Sequence, residues 1–376
     1  MPIKVAHIVR QYAPSIGGME DVVQNIARHQ QLHHQHLPTV ITLNRLFRNS
    51  SDLLPTQQVI DGVPVIRLPY RGSSRYPIAP EVLRYVRDAD VVHVHGVDFF
   101  YDYLALTKFI HKRPLMASTH GGFFHTDFAS TLKKVYFNTV TRSSSTAYDR
   151  VVGTSDNDGE TFREIIGSPK LSVIENGVNV EKFANRCAGQ RQPTLIYFGR
   201  WSANKGLLQT ISLFKALHTR QPQWRLIIAG REYDHTKSEL AALVTQNQLG
   251  DSVQLASSPS ESALCDLIAQ SSYYLCQSRH EGFGIAPIEA MSAGLTPILS
   301  DIPPFRNLIE KSKLGILLST VSEEDQVAQI IALHGLGDAA YQARRTAAQD
   351  FVQQYSWRHI ADRYVQIYQE LAHNNA

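Results

Sequence analysis

The stretch Tyr273-Tyr-Leu-Cys276-Gln-Ser278-Arg-His-Glu281-Gly-Phe-Gly284-Ile-Ala-Pro287-Ile-Glu289-Ala-Met-Ser-Ala-Gly294 reads as an apolar strand, a glycine-bearing loop and a helix. Pro287 falls where the first helical position is expected, and Gly294 falls where the helix should stop. On this reading Glu281 stands in the loop beyond the strand's carboxyl end and Glu289 in the first helical turn. Both carboxylates can then face one crevice. Carboxylates accept hydrogen bonds from sugar and ribose hydroxyls, while the amides of Gly284 and its neighbours can hold phosphate.

Similar units recur on both sides. Apolar runs at Thr194–Phe198, Trp224–Ala229, Val253–Leu255, Pro297–Leu299 and Gly315–Leu318 flank this strand. An earlier set comprises Ile3–Val9, Thr39–Leu43, Val63–Leu68, Val91–His95 and Leu115–Ser118. Val22, Val23, Ile26 and Ala27 carry the spacing of a helix lying on a sheet. Strands alternating with helices imply an α/β chain with one parallel sheet, covered on both faces, in each half. The polar, aperiodic segment 185–193 reads as the linker, dividing the chain into 1–190 and 191–356. Residues 357–376 form an amphipathic helix, with Ile360, Tyr364, Ile367, Tyr368 and Leu371 on one face, that must pack on something and is assigned to the first domain.

With 376 residues, 43% of them apolar and 19% charged, the chain can fold as two soluble domains. Its net charge of +3 is too mild for a nucleic-acid partner. Cys187, Cys265 and Cys276 form no metal or disulfide pattern, and the apolar start is interrupted by His7 and closed by Arg10, so a cytoplasmic protein is expected. The cluster His33-His34-Gln35-His36 reads as a polar loop and not as a metal site.

Two further segments bear on chemistry. Gly17-Gly18 follows the first strand and opens the first helix, where exposed amides and the helix dipole favour an anion. This is not G-x-G-x-x-G, which disfavours a nicotinamide dinucleotide. In the second half, Gly199-Arg200-Trp-Ser-Ala-Asn-Lys205-Gly206 follows a strand, and its two cations can converge on one diphosphate.

Taken together, the Glu281-x₇-Glu289 motif, the Gly199–Gly206 turn, the Gly17-Gly18 opening and Glu175-Asn-Gly-Val-Asn179 resemble the retaining GT-B glycosyltransferases of family four. Asn179 stands where that family usually has Asp. Within it, Val9–Val23, His95–Thr107, Ser118–Thr126 and Ser300–Phe305 are similar to the α-mannosyltransferases that act on polyprenyl-diphosphate-linked cellobiose in xanthan- and acetan-type exopolysaccharide pathways.

The resemblance implies two Rossmann-like doubly wound domains facing a deep cleft, GDP-mannose as donor, an α-1,3 linkage, and no cofactor or metal. It makes Arg200 and Lys205 a diphosphate clamp, Glu281 a sugar ligand, Glu289 the ribose ligand and His120 an active-site residue near the donor hexose. Gly17, Gly18, Gly284, Ile285 and Ala286 bring backbone to the donor. Asp88-Ala-Asp90 resembles the D-x-D metal site of another glycosyltransferase class but is expected only to cap a helix. Alternatives are a family-four transferase using UDP-glucose or UDP-GlcNAc on a lipopolysaccharide or other glycolipid, a glycoside hydrolase built on the two glutamates, a nucleotide-sugar epimerase, or a non-catalytic sensor. The loop Ser257–Ser260 is the candidate for base recognition. A lipid acceptor also calls for peripheral contact with an anionic membrane at its inner face. The candidate surface is Leu104–Arg142, with Lys108, Lys112, Arg113, Lys133, Lys134 and Arg142 and the aromatics Phe123, Phe124, Phe128, Tyr136 and Phe137.

Overall fold

The computed structural model describes residues 1–47, 52–74, 76–120, 135–318 and 322–374. The chain divides into two compact units, one comprising Met1–Gly177 with Trp357–Ala376 and the other Val178–Ser356.

The first unit is built on eight strands: β1 Lys4–Ile8, β2 Leu37–Leu43, β3 Gln57–Ile60, β4 Val63–Leu68, β7 Val91–His95, β8 Leu115–Ser118, β9 Arg150–Gly153 and β10 Leu171–Val173. A small separate hairpin pairs β5 Arg71–Ser73 with β6 Tyr76–Ile78. The large sheet runs β10-β9-β8-β7-β1-β2-β4-β3, and only β3 is antiparallel to its neighbour. Every residue of β7 is buried, as a strand covered on both faces requires. One face packs under helix Phe99–Leu106, through Phe99, Phe100, Tyr101 and Leu104. The other carries helix Gly18–His34, which buries Val22, Val23, Ile26, Ala27 and Gln30, and beside it helix Trp357–His373. That second helix buries Ile360, Tyr364, Ile367, Tyr368 and Leu371 against Ile3, Val5, Val91 and Met116.

The second unit has six strands, β11 Thr194–Phe198, β12 Arg225–Gly230, β13 Val253–Ser257, β14 Tyr273–Cys276, β15 Thr296–Ser300 and β16 Ile316–Leu318, all parallel in the order β13-β12-β11-β14-β15-β16. Counted within the unit, this is the doubly wound dinucleotide-fold order. The order reverses between β11 and β14, so the loops leaving those two strands flank the switch point.

Four expectations need correction. The units divide at Gly177 and not near Gln190, because Val178, Val180, Phe183 and Cys187 are buried in the second unit's core. Polar neighbours hide the apolar content of that segment. His33 and His34 end helix Gly18–His34 instead of forming a loop. His34 bonds Asp362 at 2.7 Å, and His36 accepts from the Ile3 amide at 3.2 Å. Asp90 caps no helix, since its carboxylate accepts from the Lys4 amide at 2.8 Å and thereby ties β1 to the start of β7. Finally, the strands expected in the first half omit β9 and β10, because Arg150-Val-Val-Gly153 and Leu171-Ser-Val173 hold only two apolar residues each.

Gly177, where the chain leaves the first unit, lies against Trp357, where it returns. A Cβ at Gly177 would run into the indole ring, which is itself buried. Gly177→Ala is expected to cost about 2 kcal/mol through overpacking. Thermal unfolding followed by tryptophan fluorescence should show an apparent Tm lower by roughly 5 °C. An unchanged Tm would mean that the ring moves aside freely.

Candidate functional site

In the second unit the site forms at the switch point. β11 ends at Phe198 and the chain turns through Gly199, Arg200 and the short helical turn Ala203–Lys205 to Gly206. Gly206 takes the left-handed region at φ 67°, and a Cβ there would strike the Gln277 carbonyl. A side chain would therefore force apart the two loops at this crossing. Asn204 fastens them: its carbonyl accepts from the Arg279 amide at 2.8 Å, and its side-chain amide donates to the His280 carbonyl at 3.1 Å.

This fastening sets Lys205 beside Glu281. Lys205 Nζ lies 2.5 Å from Glu281 Oε1, and both side chains are mostly buried. Ser278 donates to the same carboxylate oxygen at 2.6 Å, and the Cys276 sulfur lies 3.2 Å from the Ser278 hydroxyl. Taking both charges out of water offsets much of their attraction, so the pair's main effect is to hold Lys205 in place. Arg200 is exposed, with its guanidinium over the Tyr233 ring at 5.5 Å and its carbonyl accepting from the Tyr197 hydroxyl at 2.8 Å. The loop 199–206 is further pinned by the Ala203 amide, which donates to Asp234 at 2.8 Å.

The helix after β14 begins two residues earlier than the sequence suggests. It spans Ile285–Ser292 with Gly284 as N-cap at φ 90°, so Pro287 is its third residue and Glu289 lies in the second turn. Pro287 still needs no intrahelical donor there, and Gly294 at φ 92° follows the C-cap Ala293 as expected. Gly284, Ile285 and Ala286 thus present their amides at a helix N-terminus, with Ile285 exposed. Burial pushes the Glu289 carboxyl up, Lys182 pulls it down and Glu261 raises it. Glu261 starts the helix that follows Ser257–Ser260. The two glutamates therefore sit in separate surroundings: Glu281 with Lys205, and Glu289 with Lys182 and Glu261.

In the first unit Gly17 is the N-cap of helix Gly18–His34, and Gly18 has open space where a side chain would be. Glu20 folds back over Gly17 and accepts from the Ser15 hydroxyl at 2.8 Å. His120 follows β8 in the left-handed region at φ 53°, and its Nε2 lies 3.0 Å from His95 Nδ1.

Behind it lies a polar layer that the sequence reading did not pick out. His7 on β1 and His93 and His95 on β7 point to one face, since His7 pairs with His93 and β7 alternates in steps of two. These three rings lie close enough to surround a metal ion. All six ring nitrogens nevertheless have protein partners: His7 faces His95 and Gln30, His93 faces Tyr368 and Ser118, and His95 faces His7 and His120. A saturated cluster of this kind leaves no lone pair for an ion. The signal in the sequence is the pattern His7, His93-x-His95 within otherwise apolar strands, where buried polar groups require partners.

A family profile described as "Glycosyltransferase Family 4" matches residues 16–182, and another described as "Glycosyl transferases group 1" matches residues 180–349. The GDP-mannose:cellobiosyl-diphosphopolyprenol alpha-mannosyltransferase of Xanthomonas campestris is 51% identical over 366 residues, covering 97% of this chain and 96% of that protein. The enzyme of the same name from Komagataeibacter xylinus is 37% identical over 369 residues, covering 98% of this chain and 93% of its own. Among solved structures, a glycosyltransferase from Rickettsia africae ESF-5 aligns with a TM-score of 0.73 at 18% identity over 98% of both chains.

The geometry around Lys205 yields a binding prediction. Removing its ammonium deletes a charge-assisted bond of about 1.5–3 kcal/mol and leaves Glu281 unpaired beside any incoming phosphate. Lys205→Ala should therefore weaken GDP binding by about tenfold to a hundredfold in calorimetry. Ser278→Ala, which loosens Glu281 but keeps both charges, should weaken it only severalfold. Equal effects of the two would count against the clamp.

Proposed function

The chain belongs to glycosyltransferase family 4, with the GT-B pair of Rossmann-like domains, and on that premise we propose that it transfers α-mannose from GDP-mannose to a polyprenyl-diphosphate-linked cellobiose in bacterial exopolysaccharide assembly. The observation that carries donor and acceptor is the near-full-length identity with the mannosyltransferase of Xanthomonas campestris. Transfer proceeds with retention and without a metal.

The chemistry follows from the charges at the switch point. As the bond between the mannose anomeric carbon and the β-phosphate oxygen breaks, negative charge gathers on the departing diphosphate. Lys205, held by Glu281, supplies a fixed cation, Arg200 a bidentate one, and the amides at Gly284–Ala286 a helix N-terminus. Glu289 accepts hydrogen bonds from the ribose. The acceptor hydroxyl attacks the face from which the diphosphate leaves, and a phosphate oxygen takes its proton. Neither glutamate forms a bond to the sugar. Glu281 is engaged by Lys205 and Ser278, which suits it to ligate sugar hydroxyls rather than to act as a nucleophile.

The test offers GDP-mannose, UDP-glucose and UDP-GlcNAc to the enzyme with a polyprenyl-diphosphate cellobiose, with and without exhaustive chelation. GDP-mannose alone should give a trisaccharide, α-linked and at an unchanged rate under chelation. Transfer from a UDP-sugar would overturn the donor assignment, a β-linked product retention, and loss of rate on chelation the metal-free mechanism.

A lipid acceptor requires the enzyme to reach the bilayer, and we place that contact on the first unit at the inner face of the membrane. No helix among the described residues is long and apolar enough to cross a membrane. Support comes from the segment Leu106–Arg113, where Leu106 and Phe109 are each 73% exposed, Ile110 is exposed, and Lys112 and Arg113 follow them, whereas Lys108 is tied to Asp149 at 2.6 Å. It lies at the start of β8, with His120 beyond the other end. Phe123, Phe124, Phe128, Lys133 and Lys134 lie outside the described residues. Phe137 is buried, so it belongs to the core and cannot enter a headgroup layer. Each cation near anionic lipid contributes about 1 kcal/mol. In sedimentation with phosphatidylglycerol vesicles the wild type should bind, Phe109→Glu should bind severalfold less, and neutral vesicles should retain neither. Equal binding of both proteins would exclude this surface.

A further inference from the structure

We propose that Gln30, acting through His7 and His95, fixes His120 as its Nε2–H tautomer, so that His120 meets the donor sugar with a bare Nδ1 that accepts a hydrogen bond from a hydroxyl. The proposal rests on the transferase reading above for the identity of the sugar, and on the geometry of the first unit alone for the tautomer.

The first proton is fixed at the buried end. Gln30 Oε1 lies 3.0 Å from His7 Nε2, and a carbonyl oxygen can only accept, so His7 carries its proton on Nε2. A neutral imidazole has one N–H, which leaves His7 Nδ1 as an acceptor. That nitrogen faces His95 Nε2 at 3.0 Å, so His95 must donate from Nε2 and accept at Nδ1. His95 Nδ1 in turn faces His120 Nε2 at 3.0 Å, so His120 donates from Nε2. Its Nδ1 remains, without a partner among the described residues.

The relay requires three neutral rings, and burial supplies them. His7 and His120 are each pushed down to about 4, and His95 is held well below the ordinary histidine range. Each protonated ring would put an uncompensated charge into the sheet's interior. The route runs from helix Gly18–His34 through β1 and β7 to His120, two residues beyond β8. His93 does not take part, because its two nitrogens face Tyr368 at 2.7 Å and Ser118 at 2.8 Å. Gln30 is thus a positioning residue: it lies inside the fold, fully buried, and acts on the site only through the orientation of three protons.

The relay decides what His120 offers. With Nε2 protonated it presents a lone pair to the donor; a donor group in place of Gln30 Oε1 would reverse every proton and present an N–H instead. A hydroxyl can meet either, but the first arrangement leaves the hydroxyl's own oxygen free to accept elsewhere.

The experiment is imidazole nitrogen NMR on the full-length protein labelled with ¹⁵N-histidine, in which protonated and bare ring nitrogens resonate far apart. The His120 signals are assigned as those lost in His120→Gln. His7, His95 and His120 should all appear as Nε2–H in the wild type. In Gln30→Met, of similar shape but without a strong acceptor, His120 should become a mixture of tautomers, and kcat/KM for GDP-mannose should fall about tenfold. A wild-type His120 protonated on Nδ1, or a His120 tautomer unmoved by Gln30→Met, overturns the relay. The tautomers are read without substrate, so these two outcomes do not depend on the reaction. A shifted tautomer with unchanged kcat/KM overturns the role of Nδ1 in donor recognition, whereas failure of the GDP-mannose assay in the wild type falls on the transferase reading alone. If Gln30→Met does not fold, the wild-type spectrum still decides the tautomer.

Discussion

Two loops that leave neighbouring parallel strands, one after β11 and one after β14, are pressed together until Gly206 lies against the Gln277 carbonyl. The rest of the second unit's chemistry depends on this contact. Parallel strands place their exits on one side of the sheet, and the reversal of strand order opens space between β11 and β14. Asn204 bridges that space with two hydrogen bonds. Lys205 is thereby delivered to Glu281, and the helix that starts at Ile285 delivers its free amides to the same neighbourhood. A cation, a carboxylate acceptor and a helix N-terminus thus come from two segments far apart in sequence, each held in place by the fold.

Much of this was legible in the sequence. Strand–loop–helix periodicity located β11, β14 and the intervening elements, and set Arg200, Lys205 and Glu281 in the loops that leave β11 and β14; the expectation that Glu281 and Glu289 face one crevice met two separate surroundings instead. The misplaced helix start shows why boundaries are weaker: Gly284 in a left-handed conformation is an N-cap here, whereas a proline invites the start to be set at itself. The ion pair of Lys205 with Glu281, and the fields of Lys182 and Glu261 at Glu289, were not legible. Periodicity places a residue on an element but does not say which side chain from another element comes to meet it. The early division of the units was hidden for a related reason, since Val178, Val180 and Phe183 make no run, yet each buries itself in the second core.

The first unit sets a different physical problem. Its sheet carries His7, His93 and His95 toward the face covered by helices Gly18–His34 and Trp357–His373, where apolar side chains would be the simple choice. Such a layer is stable only if the ring nitrogens find partners, and Gln30, Ser118 and Tyr368 supply them from three other elements, with Tyr364 bonding Ser118 in turn. The need for partners explains why the helix Trp357–His373 shows two tyrosines within its buried face. Tyrosine brings both the area to fill the layer and the hydroxyl to bond it.

That same helix determines when the first unit can be completed during synthesis. Residues 357–373 emerge from the ribosome only after the whole of Val178–Ser356 has been made, a delay of roughly ten to forty seconds at ordinary elongation rates. Until then the face of the sheet that bears Ile3, Val5, Val91 and Met116 lacks its second cover, and His93 lacks Tyr368. The amino-terminal unit is therefore begun first and finished last, and in the interval the nascent chain carries an apolar, histidine-bearing surface that must be kept from other chains.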